Sequence, residues 1–181
     1  MIVEKTYLKG CFVITPRVFK DERGYFYESF NNQEFKEKTG CQVNFVQDNQ
    51  SLSSRGVLRG LHFQNGAHAQ TKLVRVVKGS VLDVCVDVRE GSSTFGQHFS
   101  IVLDAKSHQQ LFVPRGFAHG FLVLEDDTIF SYKCDNYYHK PSEKGILYND
   151  KTLAIDWNFP KTQLILSEKD LALPTFENVF K

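Results

Sequence analysis

The densest run of chemistry-bearing side chains in this 181-residue chain is Gln47–Gln64, Q-D-N-Q-S-L-S-S-R-G-V-L-R-G-L-H-F-Q. It sets a histidine, two arginines, glutamines and an asparagine among strand-forming apolar residues. An ordinary core strand has little use for so many polar groups, because each needs a partner once it leaves water. A strand lining a polar, ligand-holding cavity does. His62 is the first candidate, since an imidazole takes and returns a proton near neutral pH. The same residue also fits a hydrogen-bonded core histidine. Lys72 alternates with apolar Val74 and Val76. A lysine on an inward face either stabilises negative charge there or runs its stem from the strand end to solvent. Arg23 and Arg59 could fork onto a phosphate, and each alone also suits a surface. Arg59 and His62 are three apart, so a regular strand sends them to opposite faces. Both meet one ligand only if the chain bulges near Gly60, which glycine permits.

Two further groups have structural explanations of their own. Ser167-Glu168-Lys169-Asp170 spaces like a capping box, which by itself accounts for Asp170. Phe130, Tyr132 and Cys134 alternate on one strand face, the pattern of a core tyrosine.

The elements that must position these groups are short strands. Composition is 41% hydrophobic and 24% charged, enough for a sizeable core, and a single domain over residues 1–181 is expected. Strands are predicted at Phe12–Phe19 (irregular at Pro16), Tyr25–Phe30, Val43–Gln47, Val57–Gln64, Thr71–Val77, Val81–Arg89, His98–Leu103, Gln110–Val113, Ala118–Leu124, Thr128–Asp135 and Leu153–Phe159. Lys20–Gly24 reads as a turn, and polar loops are expected from Gln47 to Arg55 and over Asn136–Asp150. Helices are expected at Asn31–Gly40, with an Asn cap and a Gly stop, and briefly from Ser167. No long helix separates the strands, so the class is all-β: an antiparallel sandwich or barrel. In Val81–Arg89, Leu82, Val84, Val86 and Val88 form a greasy face, and Asp83, Cys85, Asp87 and Arg89 a wetter one.

The net charge of +1 gives no global field for nucleic acid or an acidic membrane, so an anionic ligand needs a local cluster of cations. Cys11, Cys41, Cys85 and Cys134 are scattered and read as reduced thiols, not a zinc site or disulfide framework. Glu4 and Lys5 break any early apolar run and no segment is long enough for a bilayer, so a soluble cytoplasmic protein is expected.

Ordered motifs then point to a family. Asp21–Glu28 (D-x-R-G-x-F-x-E), Gln47–Ser51 (Q-D-N-x-S), Gly56–Gln64 (G-V-L-R-G-L-H-F-Q) and Lys72–Val84 resemble the dTDP-4-dehydrorhamnose 3,5-epimerases. So do Val113–Phe121 (V-P-x-G-F-A-H-G-F), Tyr132–Cys134, Glu143–Ile146 and Leu166–Asp170 (L-S-x-K-D). The resemblance implies a jelly-roll cupin fold, a homodimer, and no metal or organic cofactor. It implies a dTDP-4-keto-6-deoxy sugar substrate in dTDP-rhamnose synthesis, whose carbon 4 ketone acidifies the hydrogens on carbons 3 and 5. Inverting those centres needs a base on one face, an acid on the other and support for the enolate oxygen. By resemblance His62 is the base, Asp170 the carboxylate behind it, Tyr132 the acid, and Lys72 the cation near the enolate oxygen. Arg23, Glu28, Gln47, Asn49, Arg59, His119, Glu143 and Lys169 match ligand-contacting positions, and Tyr138 is the candidate to stack on thymine. Pro114-x-Gly116-x-x-His119 resembles a metal-binding cupin motif, but Leu61-His62-Phe63-Gln64 lacks the H-x-H that would complete it. His119 is therefore read as a substrate contact or a residue behind one. A mono-epimerase, a ketoisomerase, a metal-dependent cupin oxygenase and a non-catalytic nucleotide-sugar binder are the competing readings.

Overall fold

Chain order in the computed structural model, which describes residues 1–181, begins with β1 (Ile2–Lys5), β2 (Phe12–Thr15), β3 (Phe19–Asp21), β4 (Gly24–Phe26) and α1 (Asn32–Thr39). It continues with β5 (Gln47–Ser53), β6 (Leu58–Gln64), β7 (Lys72–Lys78), β8 (Ser80–Asp87) and β9 (His98–Asp104). Then come β10 (Gln110–Val113), β11 (Phe117–Val123), β12 (Thr128–Cys134), β13 (Glu143–Gly145), α2 (Glu168–Leu171) and α3 (Phe176–Val179). One antiparallel sheet has the order β1-β2-β10-β7-β12-β5, and the other β13-β6-β11-β8-β9. β3 and β4 form a separate hairpin. Two open sheets packed face to face make a β-sandwich of jelly-roll type, with few short helices around it.

Alternation explains the layering. Val74, Val76, Leu111, Val113 and Phe130 of the first sheet meet Val81, Cys85, Leu103, Phe121 and Val123 of the second in one apolar cluster between them. The opposite side chains of the first sheet, Phe12, Ile14, Leu73 and Phe112, pack on Phe35 of α1. The outer face of the second sheet, through Leu58, Leu61, Val84, Val86 and Leu122, is covered by Leu153, Trp157 and Phe176 from the C-terminal segment. Helix α1 forms as predicted: Asn31 Oδ1 accepts the Glu34 N–H at 3.1 Å, and Gly40 closes the helix at φ 73°.

Five expectations need correction. Gln47–Ser53, expected as a loop after a strand at Val43–Gln47, is itself strand β5, paired along its length with β12. Within Tyr25–Phe30 only the first two residues are strand, as the end of β4. The expected Asn136–Asp150 loop contains β13, which pairs with β6. Leu153–Phe159 is no strand, because Ala154 and Asn158 sit at φ 47°, which reverses the chain twice. The supposed wetter face of β8 is dry as well: Asp83 and Asp87 are fully buried. His119 answers the first, and Arg89, Ser92 and Thr94 answer the second.

Candidate active site

One cavity of about 580 Å³ opens between the sheets. From the second sheet β6 supplies Arg59 and His62, and β11 supplies His119. From the first, β5 supplies Gln47 and Asn49, β7 supplies Lys72, and β12 supplies Tyr132. The spacing conflict in β6 is resolved by a bulge. His119 pairs with His62 and Phe121 with Arg59, so two steps on β11 oppose three on β6. Gly60 takes up the extra residue at φ 124°, a region closed to most side chains. Leu58 and Leu61 consequently share the outer apolar cluster, while Arg59 and His62 share the cavity.

His62 Nε2 lies 2.6 Å from Oδ1 of Asp170, although the two are not aligned as a hydrogen bond. Nδ1 is buried with no hydrogen-bond partner, and Glu143 Oε1 stands 3.8 Å from it. Burial pulls the imidazole below its ordinary pKa, and the Asp170 carboxylate partly opposes this. The ring is therefore neutral, and able to accept a proton, at and somewhat below neutral pH. Asp170 performs the capping role as well. Its N–H donates to Ser167 Oγ at 3.1 Å, and the Ser167 hydroxyl donates to Oδ2 at 2.8 Å, leaving Oδ1 for the histidine.

Tyr132 faces this pair from the opposite sheet. Burial first, and then the Cys134 thiol, raise its pKa, so the phenol keeps its proton at neutral pH. Lys72 Nζ lies 5.9 Å from the centre of the Tyr132 ring. Burial pulls the Lys72 pKa down, and the ammonium forms no ion pair with any carboxylate. A half-buried cation without a counter-ion is poised for negative charge brought in by a ligand.

The rim is a network built on Glu143. Its Oε2 accepts from Lys169 Nζ at 2.7 Å and from Tyr138 Oη at 2.8 Å. The Tyr138 N–H donates to Gln47 Oε1 at 3.1 Å. Buried Gln64 moors the same segment, donating to the carbonyls of His68 and Tyr137 and accepting the His139 N–H at 2.6 Å. An exposed aromatic ring over a polar cavity is suited to stacking on a planar base. Deeper in, His119 Nε2 lies 2.9 Å and 3.0 Å from the two oxygens of Asp83. No group of three His, Cys, Asp or Glu side chains converges with metal-site geometry.

An acceptor on one wall, a proton donor on the other and an uncompensated cation beside it can exchange protons at a carbon next to a carbonyl. The model of the dTDP-4-dehydrorhamnose 3,5-epimerase family matches residues 5–178. The chain belongs to that family. It is 52% identical to the dTDP-4-dehydrorhamnose 3,5-epimerase of Escherichia coli K12, over all of this chain and 97% of that one. The crystal structure of the enzyme from Elizabethkingia anophelis NUHP1 superposes at TM-score 0.95 with 55% identity, covering 98% of this chain and 97% of that one. The Legionella pneumophila dTDP-6-deoxy-D-glucose-3,5-epimerase, solved with dTDP-4-keto-L-rhamnose, superposes at 0.94 with 46% identity, covering 99% and 94%.

For this member of the 3,5-epimerase family, the structure gathers every predicted site residue into the cavity except Arg23 and Glu28. Arg23 sits at the β3–β4 turn, exposed and paired with Asp21, and Glu28 accepts a hydrogen bond from Asn31. Neither lines the cavity of its own chain. Sequence reasoning passed over Gln64, Gln70, Phe121 and Ser167, which also line it. Ser167 was visible as the start of a capping box, and Gln64 as a polar residue ending an apolar strand. Gln70 and Phe121 carried no distinguishing signal.

Proposed function

We propose that this chain is a 3,5-epimerase of dTDP-4-dehydro-6-deoxy-D-glucose, forming dTDP-4-dehydro-L-rhamnose in dTDP-rhamnose biosynthesis. His62 removes the hydrogen from carbon 3 or carbon 5, and its new charge is stabilised by Asp170. Tyr132 returns a proton to the opposite ring face. Lys72 stabilises the enolate oxygen at carbon 4, so no metal or organic cofactor is needed for the charge. Arg59 binds the diphosphate, Tyr138 stacks on thymine, and Gln47, Asn49, His119, Glu143 and Lys169 orient the ligand. The observation that carries this reading is that His62 and Tyr132 line one cavity from opposite sheets.

The same proposal makes residues 1–181 one domain and the working unit a homodimer. Phe19, Tyr25 and Phe26 expose aromatic surface on the hairpin that carries Arg23, which suits a second copy of the chain. In such a dimer Arg23 and Glu28 serve the neighbouring cavity. The enzyme works in the cytoplasm; its four unbridged cysteines agree with a reducing compartment. No helix is long and apolar enough to cross a membrane.

The test is incubation with dTDP-4-dehydro-6-deoxy-D-glucose in heavy water, followed by NMR. Deuterium is expected at carbons 3 and 5, with loss of both exchanges in His62→Ala. Exchange at one carbon alone turns the reading into a mono-epimerase.

A further inference from the structure

Ser167 touches the acid–base pair and has no part in the chemistry proposed above. Its Oγ accepts the Asp170 N–H, so its single proton is free to go to Asp170 Oδ2, 2.8 Å away. That occupies one carboxylate oxygen and leaves Oδ1 turned to His62. We infer that Ser167 is a positioning residue for the His62–Asp170 pair, clamping the carboxylate so that Oδ1 is held against the imidazole. The inference rests on the acid–base reading of the site.

The clamp has a physical reason. The terminal torsion of an aspartate is broad, so an unrestrained carboxylate turns freely between its two oxygens. Asp170 belongs to a helix of four residues, too short to be rigid without outside contacts. One hydroxyl fixes both the backbone and the side chain of the residue behind the base. The titratable and charged groups facing His62 are Asp170 and Lys169 from α2, Glu143 from β13, its own strand partner His119 on β11, and, around the cavity, Arg59, Lys72 and Tyr132. Among them Asp170 is the one within 3 Å. Loosening it removes the interaction that most favours the imidazolium.

The experiment compares Ser167→Ala, Ser167→Gly and Ser167→Thr with the unsubstituted enzyme, by deuterium exchange, kcat, KM and the pH dependence of kcat/KM. Glycine is nearly as good a cap as serine and has no hydroxyl, so it separates clamping from helix stability. Ser167→Ala and Ser167→Gly are expected to lose about tenfold in kcat, a fraction of what a general base supplies. The acid limb of kcat/KM shifts to lower pH, and KM stays within about twofold. Ser167→Thr recovers most of kcat. A Ser167→Gly enzyme with undiminished kcat and an unmoved acid limb reduces Ser167 to a helix cap and overturns the inference. So does a threonine variant as slow as glycine. Absence of exchange in the unsubstituted enzyme is a different result: it defeats the acid–base reading itself.

Discussion

Arg59 and His62 stand three positions apart on β6 and open into the same cavity, with Gly60 between them as the bulged residue. A Cβ on Gly60 would lie 2.6 Å from Gly120 Cα and 2.8 Å from the His119 carbonyl oxygen. Gly60→Ala is therefore expected to destabilise the fold by about 2–4 kcal/mol, from backbone strain plus overpacking. Exchange activity falls with it, because both cavity residues lose their shared direction. Thermal unfolding and the heavy-water assay check this; an alanine variant with normal melting and exchange contradicts the bulge argument.

The acid side of the pH profile follows from the same strand. His62 works as a base only when neutral, and burial lowers its pKa from 6.5 against the pull of Asp170. The acid limb of kcat/KM is expected below pH 6.5. Asp170→Asn removes the interaction that raises the pKa, so the limb moves lower still while the plateau drops by roughly 10- to 100-fold. A limb that moves upward in Asp170→Asn speaks against an imidazolium–carboxylate pair.

Lys72 predicts opposite effects on stability and rate. The folded chain holds its ammonium half-buried, without a counter-ion and with a lowered pKa. Unfolding restores the ordinary value of 10.5, so the charge opposes folding at neutral pH, and that penalty fades as pH rises toward 10.5. Lys72→Met is expected to melt at the same or a higher temperature at pH 7, with the gain shrinking in alkali. Its kcat falls about 10²–10³-fold, as when a charge-stabilising donor is lost. Calorimetry across pH beside steady-state rates tests both halves.

Tyr132→Phe separates removal of a proton from its return. His62 is intact, so exchange with solvent persists, while inversion drops because no phenol serves the opposite face. NMR of the product stereochemistry alongside deuterium content reads the two steps apart. Full inversion by the phenylalanine variant removes Tyr132 from the proposal.

Dimer exchange has a direct measurement. Arg23→Ala and His62→Ala proteins, each inactive alone, are expected to regain part of the activity when unfolded together and refolded as mixed dimers. Recovery requires Arg23 of one chain to serve the cavity of the other; mixtures that stay inactive place Arg23 in its own chain's site.

What the sequence made legible follows from how each element earns its shape. β7, β8, β11 and β12 alternate or run apolar, and their sandwich was readable. β5 was not, because Gln47, Asp48, Asn49, Gln50 and Ser51 offer no apolar rhythm and weak strand preference. It is a strand because β12 lends it a ladder, and its polar alternation separates cavity from solvent. The reverse error arose at Leu153, Ile155, Trp157 and Phe159. Their period of two imitates a strand, yet Asp150 accepts the N–H groups of Thr152 and Leu153 and builds turns instead. His62 and Lys72 were legible as residues out of keeping with their strands, whereas Tyr132 kept the pattern of a core tyrosine and was legible only through the family motif. The joining of Asp170 to His62 across more than a hundred positions was legible only through the family motif.

The carboxamide of Gln64 ties the floor of the cavity to its rim. β6 carries the proposed base at His62 and, two residues on, the side chain that moors Tyr137 and His139. Any drift of that strand toward a differently shaped sugar drags the proposed nucleobase shelf along with it. β12 is tied to the same rim, because its partner strand β5 presents Gln47 to the Tyr138 N–H, so neither wall of the cavity shifts without moving it.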